Sequence, residues 1–450
     1  MPVAAADRLK LRHQSKNFKP NPSSAMIRSL RTGVSGLKSH QVRMDVISNN
    51  IANVNTTAFK RGRAAFNELF GQTLLGVGRT AGGRGINPAY VGLGVAVGSI
   101  DVNFAQGALE NTGVATDLGL NGDGFFVVRG GDRLYLTRAG NFTVNRFGEL
   151  VTNTGLQVQG WAFDENGQLR SAALQDVRIP LNATAPPKRT ENIYIRGNLS
   201  AEAAIGDSMN VSTIVYDAQG RTYTLIIRFT KTNTNEWQWE VLDANSNPIL
   251  DSSGNPQSGT LSFNNDGTLD LDSDPTTYPD AGTLNIPFEW DIDGDSTFET
   301  FTLNLAGDDA AMTQFAGSTT AMVRNQDGVP PGSLVGFSIN QEGIVELNFS
   351  NGQQQRLYQI VLGMVNNPNG LQQEGDNLWS LTSASGDLML GRAGAEMNRT
   401  VIVAGTLEMS NVDLATEFTD MIVTQRGYQA SARIITTSDE MLQELVQLKR

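Results

Sequence analysis

The 450-residue chain contains no cysteine. Disulfides, thiol nucleophiles and cysteine metal sites are therefore excluded, and stability has to come from packing. Long apolar runs are missing too. No window reaches the roughly 18 consecutive apolar residues of a membrane-spanning helix, so no membrane insertion is expected. Histidine is nearly absent, with only His13 and His40 in the whole chain. One lies in a proline-flanked N-terminal stretch and the other beside a helical repeat, and neither setting suits a Ser-His-Asp system. Positive charge is in deficit as well. The 34 Lys and Arg against 46 Asp and Glu leave a formal charge of −12, which argues against a nucleic-acid partner.

Motifs for cofactors and metals are also wanting. Gly92-Leu-Gly-Val-Ala-Val-Gly98 has the wrong spacing for a dinucleotide fingerprint, and no Walker A sequence occurs. An EF-hand loop starting at Asp291 would need glycine at Ser296 and glutamate at Thr302. Asp291–Asp295 therefore reads as a solvated acidic turn and not a calcium site. Neither a cofactor nor catalysis is expected.

What the chain does have is two helical repeats, one near each end. Ile27, Leu30, Val34, Leu37, Gln41, Met44, Ser48 and Ile51 alternate in steps of three and four. Leu414, Phe418, Met421, Gln425, Tyr428, Ala432, Ile435, Asp439, Leu442 and Val446 do the same. This is the heptad spacing that keeps one helical stripe against a partner. The polar members Gln41, Ser48, Gln425 and Asp439 suit positions that set register. Ser24 is the expected cap of the first helix, which runs to about Val54 and would be ~42 Å long. Ser410 with Asp413 is the expected capping pair of the second. Gly427 stands as a flaw there, costing up to ~1 kcal/mol against alanine.

Between the helices the period changes to two. Asn145-Arg-Phe-Gly148, Asp164-Glu-Asn-Gly167, Asn265-Asp-Gly267 and Gln341-Glu-Gly343 each place a glycine turn before alternating apolar residues. The expected fold is mainly β with coiled-coil helical termini, the β domains nested between paired N- and C-terminal helices. Its segments are a disordered extension at 1–25 with no signal-peptide h-region, a helix within 26–60, and a glycine-rich extended connector at 61–94. There follow a discontinuous β domain at 95–185 plus 332–400, an inserted outer β domain at 186–331 with Trp237, Trp239 and Trp290 as core anchors, and a closing helix within 401–450. A secreted β-rich adhesin would account for the middle but not for two matched helical stripes.

Several stretches resemble the bacterial flagellar rod and hook protein family. Thr32-Gly-Val-Ser-Gly-Leu-Lys38 and Asp45-Val-Ile-Ser-Asn-Asn-Ile-Ala-Asn-Val-Asn-Thr56 are similar to its N-terminal signature. Glu408-Met-Ser-Asn-Val-Asp-Leu414 and Gln425-Arg-Gly-Tyr-Gln-Ala430 are similar to its C-terminal one. Gln106-Gly-Ala-Leu-Glu-Asn-Thr-Gly113, Gly122-Asp-Gly-Phe-Phe126 and Thr137-Arg-Ala-Gly-Asn-Phe142 resemble the shared β domain. Tyr216-Asp-Ala-Gln-Gly-Arg221 and Phe229-Thr-Lys-Thr-Asn-Thr-Asn-Glu-Trp237 look like the outer domain of the longer, hook-type members, which shorter distal rod proteins lack. Ala58 stands where the family often has glycine. The resemblance implies a homopolymer forming a flexible tube that transmits torque, exported without a cleaved signal to the outside of the cell. It implies hook cap, distal rod and hook–filament junction proteins as partners. Assembly would then run through Ile27, Leu30, Val34, Leu37, Gln41, Met44 and Ile51 of one helix. The other helix would contribute Leu414, Phe418, Met421, Gln425, Tyr428, Ile435, Asp439, Leu442 and Val446.

Overall fold

The computed structural model describes residues 22–75, 78–79, 85–86, 89–164, 167–271, 284–292, 297–307, 311–397 and 399–448. Helix α1 spans Pro22–Ala52 and helix α2 spans Leu414–Leu448. The two pack against each other, and nearly everything between them is strand and turn. Proline at the first turn needs no hydrogen-bonded N–H, so α1 starts there. Ser24 consequently falls inside the first turn instead of capping it, and 22–25 are helical. The rest of the presumed extension, and the calcium-like loop from residue 293 to 296, lie outside the described residues.

Two compact units make up the chain. The first comprises Met1–Ile179, Ile339–Ile344 and Tyr358–Arg450, and so contains both helices. Its β body is built around strand Phe125–Gly130, which pairs with Arg133–Thr137, Gln157–Phe163 and Leu362–Met364. Phe125, Val127, Leu136, Trp161, Val361 and Trp379 form its core. Phe104 meets both Phe125 and Trp379 edge-on, at 5.7 and 5.1 Å between centroids. Val401–Ala404 pairs with Leu118–Asn121, and Thr406–Glu408 pairs with Leu109–Asn111. The β body thus continues past residue 400, and α2 begins only at Leu414.

The glycine-rich segment is more ordered than an extended connector. Gly62–Glu68 pairs antiparallel with Val95–Val102, with a bulge at Ala65/Phe66, and Gln72–Leu75 pairs with Ala89–Val91. Glycine disfavours a helix there but leaves strand pairing open. This hairpin arm packs along α1.

The second unit, Pro180–Ser338 with Val345–Leu357, holds an antiparallel sheet of Ser208–Tyr216, Thr222–Asn233, Glu236–Leu242 and Ser258–Ser262. A mixed sheet accompanies it, in which Asn192–Tyr194 runs parallel to Thr302–Asn304. Trp237 and Trp239 are buried in the shared core with Phe229, Phe288 and Phe301, while Trp290 packs at its edge.

One local device recurs through both units. A side-chain oxygen of Asn145, Asp243, Asp251 or Asn340 accepts backbone N–H groups two and four residues on. Gly148 and Gly343 then close their turns at φ of 81° and 76°, where an L side chain is strained.

After α1 the chain turns through Ala58, which is buried and sits at φ 58°. Its N–H donates to the Glu408 carbonyl at 2.7 Å, so the turn persists without glycine. Left-handed backbone penalises a Cβ by ~1–2 kcal/mol, and glycine's extra unfolded-state freedom returns ~0.4–1 kcal/mol. Ala58→Gly is expected to stabilise the protein by about 0.5–1 kcal/mol, read as a higher thermal midpoint.

Candidate functional site

The helix pair meets through small and polar residues. On α2, Glu417, Thr424, Ser431 and Ser438 recur every seven residues and are all buried. Met421, Tyr428, Ile435 and Leu442 flank them half-buried. On α1 the facing stripe is Ser29, Gly33, Gly36, His40, Arg43 and Asn50. The Ser29 and Ser438 hydroxyls lie 3.1 Å apart, and Arg43 Nη2 donates to Asp420 Oδ1 at 3.1 Å. A Cβ on Gly33 would stand 3.1 Å from Ile435 Cγ1, and one on Gly36 3.0 Å from Ser431 Oγ. Small residues let the two backbones approach closely, which large apolar ones would prevent.

This seam differs from the one read from spacing. On α2 half of the expected stripe takes part, namely Met421, Tyr428, Ile435 and Leu442. The other half stays outside: Leu414, Phe418, Gln425, Asp439 and Val446 are exposed, Val446 by 68 %. On α1 the stripe is rotated. Ile27 and Gln41 are exposed, and Leu30, Val34, Leu37, Met44 and Ile51 are half-buried. Apolar periodicity locates a helix's apolar face. It does not say whether the nearest neighbour takes that face, and here small polar side chains give the closer fit.

Gly427 is no flaw in this setting. A Cβ there would lie 2.6 Å from His40 Cε1, so the missing side chain is the slot that admits the imidazole. His40 also meets Phe66 edge-on at 5.9 Å, and its Nδ1 is buried without a hydrogen-bond partner. Burial, helped by nearby Arg43, holds the imidazole pKa below its ordinary value.

The pair is anchored to the β body by one buried carboxylate. Glu408, wholly buried, accepts from Lys60 Nζ at 2.7 Å and Gly107 N at 2.8 Å on Oε1, and from Arg138 Nη1 at 3.3 Å on Oε2. Lys60 Nζ donates to the Ala105 carbonyl as well, and Arg138 Nη2 to that of Gly122. The Arg138 guanidinium also rests over the Phe125 ring. Burial lowers the pKa of both Lys60 and Arg138, and attraction to Glu408 opposes it.

A second polar cluster sits where α2 begins. Asp413 is its cap: its carbonyl accepts from Glu417 N at 3.0 Å and its Oδ1 from Ala415 N at 3.1 Å. Ser410 lies outside the helix, in a link whose Asn411 bonds the Asn103 and Ala105 carbonyls and the Arg61 N–H. Arg61 pairs with buried Glu417 and with Asp420, while Asn50 bridges Glu417 and Gly62. The end of α1, the start of the arm and the start of α2 are thus tied together.

Family models put this chain of paired terminal helices and intervening β body in the flagellar rod-and-hook class. They match as the flagella basal body rod protein at 30–60, the flagellar hook protein FlgE/F/G D1 domain at 119–198, the flagellar basal body protein FlaE D2 domain at 206–329, and the flagellar basal body rod FlgEFG protein C-terminal at 403–448. The chain belongs to the flagellar hook protein family. It is 38 % identical to the flagellar hook protein FlgE of Treponema pallidum, covering 94 % of this chain and all of the relative. The FlgE proteins of Borreliella burgdorferi and Salmonella typhimurium are 39 % and 35 % identical over the same shares. The Helicobacter pylori flagellar hook protein FlgE2 structure aligns with a TM-score of 0.48 at 16 % identity, over 67 % of this chain and all of that one. Lys60, Arg138 and Glu408 fall in three different matched segments, so the anchor joins parts that the models treat separately.

Glu408→Gln leaves two buried cations without a counter-charge and is expected to lower stability by ~3–5 kcal/mol, read by urea unfolding. Asp420→Asn, at a partly exposed pair, should cost no more than ~1 kcal/mol in the same assay. His40 gives a pH dependence. Its folded pKa lies below the ordinary 6.5, so the unfolded chain binds the proton more readily. Its contribution is complete above that value and is lost as pH falls through the folded pKa. The thermal midpoint should drop as pH falls below about 6.5, above the usual carboxylate range. A drop of the same size in His40→Gln would rule this out.

Proposed function

We propose that the chain is a structural subunit of the flagellar hook, polymerising into a flexible tube that passes torque from motor to filament. The observation that carries this is the apolar surface left on the helix pair. Ile27, Phe418, Ile422, Val423, Met441 and Val446 are all between 50 and 68 % exposed. Apolar side chains repeated along one element mark a surface meant for a partner. Other copies of the same chain supply that partner, so the helices of many subunits form the wall and the β units lie outside it. Small polar contacts between neighbouring β units, each below ~1,200 Å², would let the tube bend while it turns.

The remaining attributes follow from family membership and stand as part of the proposal. They are export without a cleaved signal, residence at the hook and basal body, and contact with hook cap, distal rod and hook–filament junction proteins. The stripe read from spacing keeps its assembly role in this proposal, now chiefly between subunits. The division into an assembly part, an inner β part and an outer inserted β part belongs to the same reading.

Electron microscopy of the purified full-length chain tests it, with curved tubes expected. Straight rigid tubes would point to a rod subunit, and no polymer would overturn the proposal. Phe418→Ser with Val446→Ser should leave monomer stability within about 0.5 kcal/mol, because both side chains are already exposed. Tube formation should be lost. Unimpaired tubes from that variant would show that this flank of α2 is not the assembly surface.

A further inference from the structure

The side of α1 turned away from α2 carries a feature that neither the seam nor the anchor uses. Arg28, Arg31, Val34 and Lys38, with Leu69 and Phe70 of the arm, line a groove of about 500 Å³. Its floor is apolar, with Phe70 94 % exposed, and its rim is cationic. No acidic residue is among the side chains lining it. Arg31 and Lys38 are exposed, and neither makes an ion pair among the described residues. On a chain of net charge −12 a basic concavity is out of character.

α2 presents the complementary surface. Glu440 and Glu444 lie on the face opposite its α1 seam, by the helical spacing of four, with Met441 at the margin of that face. Met441 is 52 % exposed, and both glutamates are exposed without ion pairs among the described residues. The groove and the two glutamates cannot meet within one molecule, because each lies about half a turn round its helix from the seam that joins them. We propose that the groove of one copy receives the Glu440–Glu444 face of α2 from a second copy. Met441 enters the apolar floor, and Glu440 and Glu444 pair with Arg31 and Lys38. The inference rests on the hook reading and specifies one of its contacts.

Such a contact joins unlike surfaces. Each copy offers a groove at one place and an acidic helix face at another, a heterologous interface of the kind that extends into a helical array when its rotation closes no ring. The N-terminal segment of the same chain is a poor alternative occupant. Residues 1–21 carry Arg8, Lys10, Arg12, Lys16 and Lys19 against Asp7, so they would bring like charge to the rim.

Charge reversal on each side, then on both, is the test. Arg31→Glu with Lys38→Glu should raise the protein concentration needed for tube growth by about tenfold or more, as should Glu440→Lys with Glu444→Lys. All four substitutions on one chain restore the pairing with inverted sign and should bring that concentration back to near the wild-type value. Circular dichroism and thermal midpoint of each monomer check that the fold survives. If either one-sided variant assembles like wild type, or the fourfold variant assembles no better than the one-sided ones, the pairing is wrong and the hook reading stands. Deletion of residues 1–21 should leave growth unchanged. Growth without the charge reversals having any effect, but altered by that deletion, would place the N-terminal segment in the groove instead. A wild-type chain that forms no tubes would remove the hook reading and this contact together.

Discussion

The structure turns on the Glu408 carboxylate. It binds both the segment after α1, through Lys60, and the centre of the β body, through Arg138 and Gly107. Removing three charges from water costs several kcal/mol per ion, and their attraction recovers much of that only when the geometry is good. An apolar cluster of equal volume would hold these segments together about as strongly. It would not define their angles as narrowly, since ions need their partners at hydrogen-bond distance and in line. Because Glu408 is five residues before Asp413, which caps α2, fixing its side chain also fixes where α2 leaves the β body.

From that fixed point the helix pair extends with a different balance of forces. Its closest contacts are hydroxyl, glycine and histidine contacts, each worth about 1 kcal/mol or less, flanked by half-buried Met421, Tyr428, Ile435 and Leu442 and by the Arg43–Asp420 pair. Close approach of backbones makes the pairing specific, while little large apolar area is consumed by it. What a subunit saves in apolar side chains along its own seam remains on the outside of both helices. A subunit designed for maximal self-stability would do the opposite, turning Phe418, Ile422 and Val423 inward. The seam composition and the exposed stripes are therefore two consequences of one allocation of residues.

Much of this plan was legible from residue patterns. The change of period from heptad to alternation located both helices and the β middle, and the Asn/Asp-to-glycine turns located hairpin ends. Four features were not legible, each for a physical reason. The partner of a helical stripe depends on the neighbour's shape, so the seam through Gly33, Gly36, Ser431 and Ser438 was hidden behind the larger apolar signal. Those small residues at heptad spacing were the cue that could have found it. Gly427 read as a defect because helix propensity counts only the local chain, whereas its use lies in admitting His40 from a helix nearly four hundred residues away. The Glu408 anchor spans separations of 348 and 270 residues, and nothing local distinguishes a carboxylate at a strand end from a solvated one. Ser410 lost its capping role to Asp413 because the link before α2 is held to the β body by Asn411.

Charge is the remaining constraint on assembly. Copies of a chain with net charge −12 repel one another at long range, and screening in physiological salt reduces this only beyond about 8 Å. Burial of apolar stripes acts at contact and cannot correct the approach. An array can therefore grow in register only if opposite charges coincide where surfaces meet, because a shifted register sets like charges side by side. The cationic rim on α1 and the exposed Glu440 and Glu444 of α2 are places on the helix pair where this condition can be met. Net repulsion then works in favour of order, since it penalises every arrangement of copies except those that bring such patches together.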